Sequence, residues 1–174
     1  LCGGEGSDLN EFQVNEMCRF AAERLGGTCL FLHAPAKALT AEAYQALMDL
    51  PEIRNVTSQW NNLDWVLIGI GNTAGPGNAS YYERIGNVTR QSQAQPVADL
   101  CLRLVDSDGR EIAYPDSDHL VSITFGQLRS AKRVVGVAGG AYKTEAILAV
   151  LRGGWLDVLV IDEPTAQAVL RYDG

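Results

Sequence analysis

The chain has 174 residues, 47% of them hydrophobic and 20% charged, enough apolar mass to bury a core within one domain. A formal net charge of -7 leaves this stretch without the positive field that draws proteins to phosphate backbones, so any DNA-binding unit lies outside it. No apolar run approaches the roughly 20 residues needed to cross a bilayer, and no basic segment followed by an apolar one opens the chain, which predicts a cytoplasmic protein without membrane contact.

The opening LCGGEGSDLNEF reads as a strand end breaking into a glycine-rich loop at Gly3, Gly4 and Gly6. Val14, Met17, Cys18, Ala21 and Leu25 recur at helical spacing, and Gly26 and Gly27 stop the helix they define. Cys29 to Leu32 then reads as a buried strand ending at Ala34-Pro35. Residues 41–50 and 52–61 are helical, separated by Pro51, and residues 64–70 (DWVLIGI) form an apolar run whose continuity predicts a strand covered on both faces.

Residues 97–113 change the rhythm, with two strand-like segments about Asp106-Ser107-Asp108-Gly109 predicting an antiparallel hairpin. A strand over 134–137, a Gly139-Gly140 turn, a helix over 144–151, a strand over 158–161 and a helix from Pro164 complete the chain. The fold class expected is α/β: a Rossmann-like, mainly parallel sheet flanked by helices, with an antiparallel hairpin excursion. The four cysteines, Cys2, Cys18, Cys29 and Cys101, show neither CxxC nor metal-ligand spacing and are expected as reduced thiols, three of them packed as small hydrophobes. The sequons at Asn55, Asn78 and Asn87 are read as chance.

Ligands of open parallel sheets bind outside the carboxyl ends of the strands, and the loops that follow the apolar runs here are rich in glycine. In AGGAYK, residues 138–143, glycines permit close backbone approach, the next helix offers N–H groups and a partial positive charge, and Lys143 adds a full one. This describes an anion cradle or, as plainly, a tight turn beside a solvated lysine; it is not a GxxxxGK[ST] phosphate loop. Gly69-Ile70-Gly71 begins like a dinucleotide fingerprint, but Gly75-Pro76-Gly77 would break the helix that motif needs. Gln13 and Asn15 can cap the first helix or bond hydroxyls. Asp99 interrupts an apolar strand, either to accept hydroxyl hydrogen bonds or as an edge acid facing water. His33 and His119 are read as satisfied structural histidines, and Asp162-Glu163 before Pro164 as helix initiation. Nothing in the pattern points to a catalytic set, a metal site or a cofactor.

The stretch from Val134 to Leu170 (VVGVAGGAYKTEAILAVLRGGWLDVLVIDEPTAQAVL), with LCGGEGSD, Gln13-x-Asn15, Ala34-Pro35 and Gly69-Ile70-Gly71 in order before it, resembles the effector-binding domain of SorC-type transcription regulators. The resemblance spans nearly the whole chain. It implies a fold related to sugar-phosphate isomerases and deaminases, and a phosphorylated sugar as effector. It also implies a homo-oligomer, dimer or tetramer, that touches DNA only through a domain absent from this chain. Carried over by position, Gly3, Gly4, Gln13, Gly69, Gly71, Asp99, Gly139, Gly140 and Lys143 would line the pocket, with Lys143 and the glycine amides on the phosphate and Gln13 and Asp99 on hydroxyls. Some members have arginine where Cys2 stands, so a monophosphate is favoured over a bisphosphate. The helix-turn-helix domain and the first part of the effector domain are expected to lie outside these residues. Two alternatives remain: an isomerase or deaminase using Asp99 or Glu163 as base, and a dimerisation module with a vestigial pocket.

Overall fold

A computed structural model describes residues 1–4, 14–73, 95–114 and 117–172. In chain order the regular elements are α1 (Val14–Leu25), α2 (Ala41–Met48), α3 (Pro51–Thr57), β1 (Trp65–Gly69), β2 (Gly71–Asn72), β3 (Ala98–Leu100), β4 (Arg103–Val105) and β5 (Glu111–Ile112). There follow α4 (Phe125–Ser130), β6 (Arg133–Ala138), α5 (Thr144–Arg152), β7 (Val158–Ile161) and α6 (Glu163–Leu170). Strands β1, β6 and β7 form a parallel sheet in that order, with Trp65 level with Arg133 and Val135 level with Val158. Strands β2 to β5 form an antiparallel sheet in sequence order. The fold is α/β with a parallel sheet, an antiparallel excursion and flanking helices, the class the sequence predicts.

Local chemistry accounts for most boundaries. Thr40 caps α2 through the Ala43 N–H, Pro51 opens α3, and Thr124 and Gln127 close a reciprocal capping box on α4. Helix α5 crosses from β6 to β7 and buries Ala146, Ile147, Ala149 and Val150 against the sheet. The hairpin of β4 and β5 turns where the Asp106 carboxylate accepts the N–H groups of Asp108 and Arg110, both at 2.9 Å. That turn is pinned to the core: the Trp155 indole N–H donates to the Gly109 carbonyl at 2.7 Å, and Trp155 stacks on Phe125 with centroids 4.1 Å apart.

Several expectations are corrected. Residues 29–32 form no strand; Asn15 occupies the backbone of Leu32, and strand-like bridges appear only at Pro35 and Lys37. Strand β1 is covered on one face only, because Val66 and Ile68 are buried while Trp65 and Leu67 are 68% and 69% exposed. Val137, Val158 and Val160 continue that bare apolar face across the sheet. Helix α1 forms where predicted but none of its residues is buried, and Cys18 is exposed rather than packed. A turn at Cys101 and Leu102, both at positive φ without glycine, separates β3 from β4 and carries no residue signal. Asp99 lies on β3, an interior strand of the antiparallel sheet, not on an edge. The His119 Nδ1 atom is buried with no partner among the described residues, although its ring stacks on Tyr44.

Gly109 sits at φ +77°, and a Cβ there would stand 2.3 Å from both the Ala149 carbonyl oxygen and the Gly153 nitrogen. Gly109→Ala is therefore expected to lower stability by more than about 1 kcal/mol, measured as a reduced midpoint in urea at unchanged m value.

Candidate functional site

The carboxyl ends of β1 and β6 lie side by side, since Gly69 is level with Val137 and the Ile70 N–H donates to the Val137 carbonyl at 3.3 Å. Past these ends the chain does two things. From Gly69 it bends through Ile70 into β2, where Gly71 stands directly across from Asp99 of β3. From Ala138 it turns at Gly139 and Gly140, the latter at φ +99°, into a short 3-10 turn of Ala141–Lys143 and then α5.

Lys143 reaches back across this junction and its ammonium donates to the Ile70 carbonyl at 2.7 Å. An ammonium has three donors, so one is fixed on the sheet and two remain. Among the described residues no carboxylate pairs with it. Beside it, buried Asn72 donates to the Tyr142 carbonyl at 3.4 Å, tying β2 to the same turn. A cavity of about 120 Å³ opens here between Asn72, Val97, Tyr142 and Glu145. It is smaller than the roughly 300 Å³ at which small-molecule sites begin.

The glycine turn is held from the other side. The Gly140 N–H donates to Thr165 Oγ1 at 2.8 Å and to Asp162 Oδ2 at 3.1 Å, and Thr165 is fully buried. Asp162 is the N-cap of α6, and its carboxylate accepts the Thr165 N–H at 2.9 Å. These bonds, those of Thr165 first and that of Gly140 after, hold the Asp162 carboxyl below its usual range. A side chain at Gly139 would meet the same carboxylate, its Cβ 2.9 Å from Oδ2. Gly139 is thus favoured by a close carboxylate, and Gly140 by its positive φ and by Tyr142, whose ring a Cβ would meet at 2.4 Å, without any ligand. Asp162 does start a helix, as its place before Pro164-Thr165 predicts, but the bond from Gly140 to Thr165 has no signal in the sequence, because it joins two turns far apart in the chain.

Of the other candidates, Asp99 accepts the Leu102 N–H at 3.3 Å, closing the turn of positive-φ residues. Gly3 and Gly4 lie on a separate strip: the Gly3 N–H donates to Val121 at 2.8 Å and that of Gly4 to Ala34 at 2.9 Å. A Cβ on Gly3 would be 2.2 Å from the Pro35 oxygen, so backbone packing alone requires glycine there. The strip joins the rest through Cys2, whose thiol is pushed up chiefly by burial and also by nearby Asp99. Burial likewise pushes the Cys101 thiol to about 12. Asn15 neither caps α1 nor stands free; its carboxamide bonds both backbone groups of Leu32, at 3.1 and 3.2 Å. Gln13, Gly6 and the Gly75-Pro76-Gly77 loop lie outside the described residues.

A parallel α/β sheet with a glycine turn and a lysine at the ends of its strands places the fold in the Rossmann-like class, whose ligands bind at such strand ends. Residues 1–171 match the family model described as "Putative sugar-binding domain", and the chain belongs to that family. It is 29% identical over 174 residues to the sorbitol operon regulator of Klebsiella pneumoniae, covering 98% of this chain and 55% of that protein. It is 27% identical to the central glycolytic genes regulator of Bacillus subtilis, covering 97% of this chain and 48% of that protein. The crystal structure of the full-length sorbitol operon regulator SorC from Klebsiella pneumoniae superposes with a TM-score of 0.85 at 27% identity, covering 98% of this chain and 56% of that one. The chain therefore spans about half the length of the curated relatives it matches. These relatives are named regulators, and among the described residues no helix is long and apolar enough to cross a membrane.

Thr165→Val keeps the shape of the side chain but removes the nearer of the two acceptors of the Gly140 N–H and a donor to Asp162. It is expected to cost about 1 to 3 kcal/mol in urea unfolding. The depressed Asp162 carboxyl adds stability above the ordinary carboxylate range, and that contribution is lost as pH falls through its folded value. Asp162→Asn is expected to flatten the acid side of the stability profile below the ordinary carboxylate value, down to the lower folded one, and to leave its slope between there and pH 7 unchanged, read from Tm against pH.

Proposed function

We propose that this chain is the sugar-phosphate-sensing part of a bacterial transcription regulator, binding a phosphorylated sugar without turnover and so biasing the DNA affinity of the whole protein. The observation that carries the reading is the Lys143 ammonium fixed on the Ile70 carbonyl at 2.7 Å, with donors to spare at the mouth of the sheet. Lys143 takes the phosphate together with the turn of Gly139 and Gly140. Because the Gly140 N–H is already engaged by Thr165 and Asp162, Lys143 carries the larger share. Gln13 and Asp99 take sugar hydroxyls, and Gly3, Gly4, Gly69 and Gly71 let the ligand approach the backbone. A monophosphate fits better than a bisphosphate, since Cys2 offers no charge where some members carry arginine.

Binding without chemistry is supported by the state of the two candidate bases. Asp99 accepts a backbone N–H within its own turn, and Glu163 accepts the Gln167 carboxamide at 3.1 Å on α6. Ligand binding acts on the regulator by favouring one of two arrangements of a dimer or tetramer in the cytoplasm, an assembly that rests on the family resemblance alone.

The helix-turn-helix domain and the first part of the effector domain belong, in this reading, to polypeptide outside these 174 residues. Parallel sheets are covered on both faces, whereas Trp65, Leu67, Val137, Val158 and Val160 stand bare here. The relatives' additional length is the material to cover them. In a variant whose only tryptophan is Trp65, emission is expected to shift to the blue when the chain is produced together with its own upstream coding sequence. Unchanged emission counts against this organisation.

For the site, a panel of sugar monophosphates is incubated with the protein and both Tm and products are followed. One member is expected to raise stability, by about 2.7 kcal/mol at 100 times its Kd, with no product formed. Lys143→Ala is expected to abolish that shift while the variant unfolds cooperatively. Turnover, or unchanged affinity in the variant, rejects the reading.

A further inference from the structure

We infer that Cys18 and Cys29 form a reversible disulfide, a modification site that clamps α1 to the segment running back along it. The placement begins with the reversal after α1. Gly26 takes φ +69° and the Gly27 N–H donates to the Ala22 carbonyl at 2.8 Å, so residues 28–32 return beside the helix. Asn15 sets the register by bonding both backbone groups of Leu32, at 3.1 and 3.2 Å. Cys18 lies three residues beyond Asn15, on the same side of the helix, and Cys29 three residues before Leu32 on the returning segment. Cys18 lies close enough to Cys29 to act electrostatically on its thiol. Cys18 is exposed and Cys29 half-buried, so the pair is open to solvent on one side.

The chemistry requires a hydroperoxide. The exposed Cys18 thiolate attacks one peroxide oxygen, the O–O bond breaks, and hydroxide leaves to take up a proton as water; Cys18 becomes a sulfenic acid. The Cys29 sulfur then attacks the Cys18 sulfur, the S–O bond breaks, and the hydroxyl departs with the Cys29 proton as a second water. Two thiols are oxidised and one peroxide is reduced. Burial first, and then the neighbouring Cys18, hold the Cys29 thiol above its ordinary value, so Cys29 suits the resolving role and not the attacking one. Cys101 stays out of the reaction, its thiol pushed to about 12 by burial. Cys2 feels Cys18 electrostatically but is raised by its own burial.

The test treats the 174-residue protein with hydrogen peroxide and reads intact mass, then peptides after cleavage at glutamate. Cuts at Glu5, Glu16, Glu23 and Glu42 put Cys2, Cys18 and Cys29 on separate peptides. The expected result is a mass loss of about 2 Da, a single Cys18–Cys29 linked peptide, and its disappearance on adding dithiothreitol. Cys18→Ser and Cys29→Ser each abolish the link, and Cys2→Ser retains it. Oxidation of Cys18 to sulfinic acid with no linked peptide overturns the inference, as does a Cys2–Cys18 link in the unmutated protein.

Discussion

The pairing of β6 with β1 on one side and β7 on the other is the constraint on which the remaining structure hangs. Because the register is parallel, both neighbours end where β6 ends, so three chain turns open on the same side of the sheet. Lys143 can reach Ile70 only because β1 and β6 finish together, and Gly140 can donate to Thr165 only because β6 and β7 do. The candidate site is a consequence of strand register before it is a property of any residue.

That junction is balanced between two uses of the same groups. The AGG turn is closed by a carboxylate and a buried hydroxyl, which satisfy a glycine N–H that an anion would otherwise take. The lysine is held at its tip by a neutral carbonyl, which orients the ammonium without cancelling its charge. A carboxylate partner for Lys143 would have neutralised the site; a carbonyl leaves the field in place. The acid at Asp162 works on the far side of the turn, where it serves α6 as a cap.

The two faces of the parallel sheet differ in kind. One packs Val66, Ile68 and Val134 against α5 and the tryptophan-centred core. The other leaves tryptophan, leucine and valine in solvent. Apolar runs such as DWVLIGI suit burial on both sides, whereas among the described residues only one side of β1 is covered. The same holds for α1, whose apolar spacing is helical and whose apolar residues remain uncovered.

What the sequence determined by itself was local and periodic: the helix over 14–25 and its glycine stop, the hairpin about Asp106 to Gly109, the alternation of strand and helix after residue 133, and a lysine following two glycines. Each follows from spacing or turn chemistry acting over a few residues. The tertiary structure decided the contacts between distant segments. It put Lys143 on Ile70, Thr165 under Gly140, Asn15 across Leu32, and Asp99 on an interior strand closing a turn with no glycine in it. No residue pattern encodes these, because each depends on which backbone groups the sheet leaves unpaired, and that is settled only when strands from far apart in the chain come into register.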